Sequence, residues 1–153
     1  MVIDIFTREC LASEVGKSLG GEDVVHALNK IIQMRLKPRQ IFVNNGSEFI
    51  SKPLGKWAYE QAVSLAFLRS GKPTANCYIE SFNRSFRDEC LNMHWFLSLE
   101  DARIKVEKWR QDYNFERPHS ALAYQAPSVF AGAKQRIFST FAWVCFWGGA
   151  SLA

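Results

Sequence analysis

Short apolar runs alternate along the chain with amphipathic stretches, and the two periodicities separate strands from helices. Residues 1–5 and 10–15 are apolar or alternating on either side of Thr7-Arg8-Glu9, which predicts an antiparallel hairpin ended by Gly20-Gly21. From Glu22 to Leu36, the residues Val24, Val25, Leu28, Ile31 and Ile32 recur every three to four positions. That is the buried stripe of a helix, and it must stop before Pro38. Ile41-Phe42-Val43 predicts a strand over 40–44, cut off by the turn residues Asn44-Asn45-Gly46. Ser51 and Pro53 open a helix whose inner side holds Leu54, Trp57, Ala58 and Ala62. A strand at 64–69 leads into a loop over 70–76. Ile79, Phe82, Phe86 and Cys90 then mark one face of a further helix. Ser98-Leu99-Glu100-Asp101 has the form of a capping box and starts a helix with Ala102, Val106, Trp109 and Tyr113 on one side. Residues 114–128 read as an irregular, proline-containing segment. The order of elements is that of an α/β protein with a mixed sheet.

The end of the chain breaks this pattern. No charged residue occurs from Ile137 to Ala153, and Phe138, Phe141, Trp143, Phe146 and Trp147 crowd together. The stretch is shorter than the ~20 apolar residues of a membrane span, and no membrane partner is expected. It reads as a hybrid end joined at a rearranged boundary, with a buried final helix as the alternative. The expected division is therefore a core over 1–130 and an apolar tail over 131–153.

Composition adds limits. With 153 residues, 48% of them hydrophobic and 22% charged, the chain can bury one core. A formal charge of +4 permits a polyanionic partner without demanding one. The four cysteines, at 10, 77, 90 and 145, have no metal-ligand spacing and read as reduced thiols of an intracellular protein. No basic leader follows Met1, so the expected location is cytoplasmic.

Candidate chemistry gathers between Gln40 and Glu89. Asn44 ends a strand, and Glu80 shares a helical flank with Asn83, Arg84 and Arg87. Read singly, each residue is ordinary. Asn44 suits a turn, Glu80 suits an ion pair with Arg84 at i+4, and Lys72, Arg84 and Arg87 suit either a phosphate-binding patch or a solvated face. Arg117 and His119 equally fit a DNA contact or a helix terminus.

Taken in order, Asn-Asn-Gly-Ser-Glu-Phe (44–49), Gly-Lys-Pro-Thr-Ala-Asn-Cys-Tyr-Ile-Glu-Ser-Phe-Asn-Arg (71–84) and Tyr-Asn-Phe-Glu-Arg-Pro-His (113–119) resemble the integrase-core transposases of bacterial insertion sequences. These belong to the retroviral-integrase-like, RNase H-fold class. The resemblance covers roughly residues 1–130. Asn44 stands where the family has the second of three metal-binding aspartates, and Glu80 matches its third carboxylate. The 35 residues between them follow the family's spacing. Asp4 matches a structural aspartate of an Asp-x-Phe-Ser/Thr-Arg motif.

The resemblance implies an RNase H-like mixed sheet flanked by helices, acting on DNA by cleavage and strand transfer with Mg²⁺ or Mn²⁺. It places the DNA contacts at Lys72, Asn76, Asn83, Arg84, Arg87, Arg117 and His119. Two departures qualify it. Asn44 replaces a carboxylate, and the strand carrying the family's first aspartate is expected to lie upstream of residue 1. That strand would run between residues 1–5 and 40–44, so the sheet is expected to lack its first, central strand. Residues 138–147 are a possible filler, and a weakened sheet is the favoured outcome. The expected function is a transposase core that has lost its activity, with Glu80 a residual metal ligand only. The alternative is a non-catalytic remnant that binds DNA, associates with itself, or partners and inhibits an intact transposase.

Overall fold

The computed structural model describes residues 1–43, 46–67, 73–134 and 139–143; within these, the side chains of 73–76 and 139–143 are left undescribed. β1 (Val2–Asp4) and β2 (Cys10–Ala12) form the expected hairpin. Its turn is built by Asp4, whose Oδ1 accepts from the N–H of Phe6 at 2.8 Å and of Thr7 at 3.3 Å. Arg8 sits in the left-handed region at φ 63, an uncommon conformation for a residue with a side chain. Asp4 is buried by this role, in keeping with a structural aspartate.

α1 (Gly21–Met34) follows, with Asp23 accepting from the Gly20 N–H at 2.8 Å. Gly21 has a packing reason: a Cβ there would run into the Ser51 side chain, which caps α2 (Lys52–Glu60) by accepting from the Leu54 N–H at 3.4 Å. α2 ends at Glu60, earlier than the apolar spacing implied. Ala62 is exposed beyond its end at φ 52 and is not part of the inner side.

β3 (Pro38–Val43) and β4 (Ser64–Phe67) pair in parallel, Ile41 opposite Leu65 and Val43 opposite Phe67. α3 (Pro73–Phe86) begins inside the segment read as a loop, because Pro73 suits the first helical position, where no N–H is needed. A π-helical turn over Arg87–Leu91 carries α3 on and keeps Cys90 buried with Ile79, Phe82 and Phe86. Ser98 caps α4 (Leu99–Phe115) as expected, its Oγ accepting from the Asp101 N–H at 3.0 Å. The segment after α4 is less irregular than expected. A 3₁₀ turn spans Ser120–Leu122, and α5 (Pro127–Ala133) follows, again with proline at its first position.

The strand order is β2-β1-β5-β3-β4, with β5 at Ser139–Trp143. The gap expected between β1 and β3 is thus occupied, by a strand from the apolar tail. β5 runs antiparallel to β1 (Ile3 opposite Ala142, Asp4 opposite Phe141) and parallel to β3 (Ile41 opposite Phe141, Phe42 opposite Ala142). The expected open edges on β1 and β3 are absent, and the favoured weakened sheet is replaced by a five-stranded one.

Alternation along β1 and β3 divides the core in two. Val2, Ile41 and Val43 face α1 and α2 with Val24, Leu28, Ile31, Phe49, Leu54 and Trp57. Ile3 and Phe42 face the other way, toward Phe82 and Phe86 of α3 and Val106, Trp109 and Tyr113 of α4. The aromatics Trp57, Phe82, Phe86 and Trp109 are therefore core residues, as their spacing indicated.

Candidate functional site

α3 positions most of the candidate residues, because burial of Ile79, Phe82 and Phe86 fixes which side of the helix meets solvent. Glu80, Arg84 and Arg87 are exposed, and Asn83 is half-buried with its Oδ1 enclosed and unpartnered. The expected flank of Glu80, Asn83, Arg84 and Arg87 is therefore an outward-looking surface of one helix. Asn44 and Lys72 lie outside the described residues. Asn76 lies within α3 by its backbone, but its side chain is also outside them.

Just beyond Asn44, the turn at Gly46 is held by Phe49 N–H and Ile50 N–H, which donate to the Gly46 carbonyl at 3.0 and 3.2 Å. Phe49 is fully buried and anchors it. A Cβ at position 46 would run into the Glu48 carboxylate, which explains the glycine.

Arg117 and His119 join the far half of α3 through α4. The Phe82 ring stands edge-on to Tyr113 at 5.2 Å, and Tyr113 stands edge-on to His119 at 4.9 Å. Arg117 is ion-paired with Glu89 of the π-helical turn, so it is held in place there. The same Glu89 oxygen accepts from Trp109 Nε1 at 3.2 Å. Burial, and then the charges of Arg117 and Arg8, push His119 below its ordinary value of 6.5, so the ring is neutral at neutral pH.

Sequence reading missed Arg8 as part of this neighbourhood. Its guanidinium lies 3.6 Å from the Tyr78 ring centroid, and its Nη1 is buried without a partner, like His119 Nε2. Only the polar break at Thr7-Arg8 hinted at it. The role of Asn114 was equally hidden. Its Oδ1 accepts from the Cys10 N–H at 2.8 Å and its Nδ2 donates to the Cys10 carbonyl at 2.9 Å, and Arg110 Nη1 adds a bond to that carbonyl at 3.0 Å. These side chains close the outer edge of β2, where a strand would otherwise offer unpaired groups. Arg110 is held in turn by Glu107. Hydrogen bonds from Arg110, with smaller ones from Gln111 and Ser13, outweigh partial burial and keep the Glu107 carboxyl down at about 2.

Two separate pH windows, both on the acid side, follow for the two groups. His119 binds a proton more readily in the unfolded chain, so its neutral form supports folding fully above 6.5 and that support is lost as the pH falls below it. Glu107 supports folding above 4.5 and loses that support as the pH falls from 4.5 toward about 2. Melting temperatures measured against pH should therefore fall in two steps. His119→Gln should flatten the upper step alone and Glu107→Gln the lower.

As a metal site the donor set is sparse. Among the described residues no group of three or more His, Cys, Asp or Glu side chains could hold a metal ion. β5, the strand that occupies the centre of the sheet, reads Ser-Thr-Phe-Ala-Trp and has no carboxylate. A pair of divalent ions needs several converging anionic oxygens, and these residues do not fit it.

A helix-flanked mixed sheet carrying these three motifs defines an integrase-type core. Two family models, both described as integrase core domain, match residues 1–73 and 61–127. The chain is 50% identical over 135 residues to an uncharacterised 31.7 kDa protein of insertion element IS407 from Burkholderia multivorans, covering 88% of this chain and 48% of that protein. It is 42% identical over 130 residues to a 39.2 kDa protein of insertion element IS476 from Xanthomonas euvesicatoria, covering 85% and 38%. The chain thus spans half or less of the length of these two relatives. Among solved structures, a simian T-cell lymphotropic virus intasome in complex with a PP2A regulatory subunit superposes with a TM-score of 0.66 at 14% identity, covering 88% of this chain and 48% of that one. The catalytic core domain of BIV integrase superposes with a TM-score of 0.59 at 13% identity, covering 80% and 78%. The fold is that of the retroviral integrase catalytic cores. The chain belongs to the integrase core family of insertion-element transposases.

Proposed function

We propose that this chain is a DNA-transposase core that no longer carries out cleavage or strand transfer, and that its remaining capacity is DNA association. The observation that carries the reading is the central strand. The position expected to supply the first carboxylate holds Ser139–Trp143, and Asn44 supplies a neutral amide oxygen where the second is expected. Glu80 alone keeps the acidic chemistry. A single carboxylate does not offset the charge of two ions set a few Å apart. The family's use of Mg²⁺ or Mn²⁺ gives the metal to test; a magnesium complex is described for the integrase core of HTLV-2. No helix among the described residues is long and apolar enough to cross a membrane, which suits a cytoplasmic, nucleoid-associated role.

The test is a nicking and joining assay on DNA with Mg²⁺ or Mn²⁺. The expected result is no turnover by the chain or by Asn44→Asp, since restoring one group leaves the first carboxylate missing. Metal-dependent nicking abolished by Glu80→Gln would overturn the reading.

DNA association should be weak, indifferent to sequence and steeply salt-dependent, because it would rest on phosphate contacts from Lys72, Arg84, Arg87 and Arg117, with Asn76, Asn83 and His119 beside them. Arg84→Ala and Arg87→Ala should each lower affinity by only a few-fold. Tight sequence-specific binding that survives high salt would place the partner elsewhere.

A further inference from the structure

Two enclosed side-chain atoms without partners lie in one neighbourhood. Nη1 of Arg8 and Nε2 of His119 are both shut off from solvent, and neither has a hydrogen-bond partner among the described residues. The Arg8 charge is close enough to bear on the His119 ring. Leaving such a group unsatisfied costs on the order of 1–3 kcal/mol, and more where the group is charged. The backbone pins both residues. The Arg8 N–H donates to the Asp4 carbonyl at 2.8 Å, which holds the residue in the left-handed region at φ 63. The His119 carbonyl accepts from the Leu122 N–H at 2.9 Å and the Tyr124 N–H at 2.8 Å. Arg8 lies over Tyr78 of α3, and His119 stands against Tyr113, which packs on Phe82 one turn further along the same helix. Arg117, its guanidinium carbon 5.7 Å from the Tyr113 ring centre, adds a second positive charge. Positions two apart on an α-helix differ by about 200° in direction. Glu80 and Arg84 therefore point away from Tyr78 and Phe82, and this cluster is not part of the Glu80 flank.

We propose that Arg8 and His119 form an oxyanion site, with a phosphate group as its ligand, on the side of α3 turned away from Glu80. One phosphate can accept from both atoms. The guanidinium donates at any ordinary pH, and a neutral imidazole donates from Nε2 in the tautomer that carries its proton there. Arg8 and His119 are only half-buried as residues, so rotation about side-chain bonds uncovers both atoms without moving the pinned backbone. Arg117 contributes charge and not a bond, since its Nη1 is engaged with Glu89. Glu89 is the carboxylate that would oppose an anion, and Arg117 and Trp109 already share its oxygen. Burial keeps Tyr113 neutral beside the ring. A bound anion reverses the field at the imidazole. Arg8 and Arg117 help to hold the proton off His119, whereas a negative charge beside it favours the imidazolium, so binding takes up a proton and tightens as the pH falls. The site does not depend on whether the core cuts DNA or binds it through the Glu80 flank.

The test uses the full chain and sulfate, a doubly charged oxyanion that does not titrate near neutral pH, with chloride at equal ionic strength as the reference. The ring signals of His26, His94 and His119 are followed by NMR. A saturable shift of His119 alone is expected, with its titration midpoint raised by about one unit, a tenfold gain in proton affinity. Arg8→Gln should weaken sulfate binding about tenfold or more, and Lys56→Gln, on α2, should leave it unchanged. Should Arg8→Gln fail to fold, Arg8→Lys, which keeps the charge but not the planar guanidinium, takes its place and should weaken binding several-fold. A short DNA duplex then identifies the source of the phosphate: displacement of sulfate assigns it to a DNA backbone, and no displacement assigns it to the free ion, the site standing in either case. No saturable shift of His119 in the parent chain overturns the proposal, whatever the variants do. So does a shift that neither Arg8 variant weakens.

Discussion

Ala142→Pro should lower the melting temperature of this protein by roughly 6–12 °C. Ala142 lies between Ile3 of β1 and Phe42 of β3, at the middle of the sheet. Proline there removes a ladder donor and puts its ring where a neighbouring strand must pass, so it is tolerated only at edges and bulges. The cost is about 3 kcal/mol, because a carbonyl of the neighbouring strand is left buried without its donor, and that is a large part of the stability of a domain this size. Its consequences would spread, because Val2 and Ile41 on one face and Ile3 and Phe42 on the other pack both helix layers against these strands. Hydrogen exchange gives the local readout. Amides of Ile41–Val43 should exchange slowly in the parent chain and at least about a hundredfold faster in the proline variant, as expected for a loss near 3 kcal/mol. Ala142→Val, which keeps the N–H and suits a strand, is the control and should leave protection in place. Unchanged protection in the proline variant would mean that β3 does not depend on β5.

What the sequence disclosed follows the same division. Helices with long apolar stripes were legible in position and in face: Val24, Leu28 and Ile31 in α1, Ile79, Phe82 and Phe86 in α3, and Val106, Trp109 and Tyr113 in α4. The caps of α2 and α4 were legible too, since Ser51 and Ser98 are chemically committed to the role. α5 was not, because seven residues hold too little periodicity to stand out and Pro127 reads as a breaker as readily as a first-turn residue. β5 was ambiguous for a different reason. A charge-free run has no alternation, so its strand character is set by the vacancy between β1 and β3 and not by its own pattern. The candidate site was legible only through its motifs. Glu80, Arg84 and Arg87 do share an exposed helix face, yet Arg117 is tied to Glu89 and Arg8 packs on Tyr78, contacts that join segments with no sequence relation. Asn114 shows how a motif residue can serve the fold: part of the Tyr-Asn-Phe-Glu-Arg-Pro-His run, it spends its amide on the backbone of Cys10.

Trp109→Ala should cost about 4 kcal/mol and lower the melting temperature by about 10 °C. The indole lies 4.9 Å from Phe86, 5.6 Å from Phe82 and 5.0 Å from Tyr113, ring centre to ring centre, and it is buried among them. Truncation to alanine leaves a void that three rings cannot close without leaving their own contacts with Ile3 and Phe42. The residue has a second function, separable from the first. Its Nε1–H and Arg117 share one oxygen of Glu89, so the indole fixes the carboxylate that fixes Arg117. Trp109→Phe should keep most of the packing, costing about 1–2 kcal/mol, while releasing that oxygen. Glu89→Gln should leave the packing intact and weaken the hold on Arg117. If Arg117 contacts DNA, the phenylalanine and glutamine variants should shift affinity together while their stabilities differ; parallel changes in both quantities would reduce the whole Glu89 link to a matter of folding.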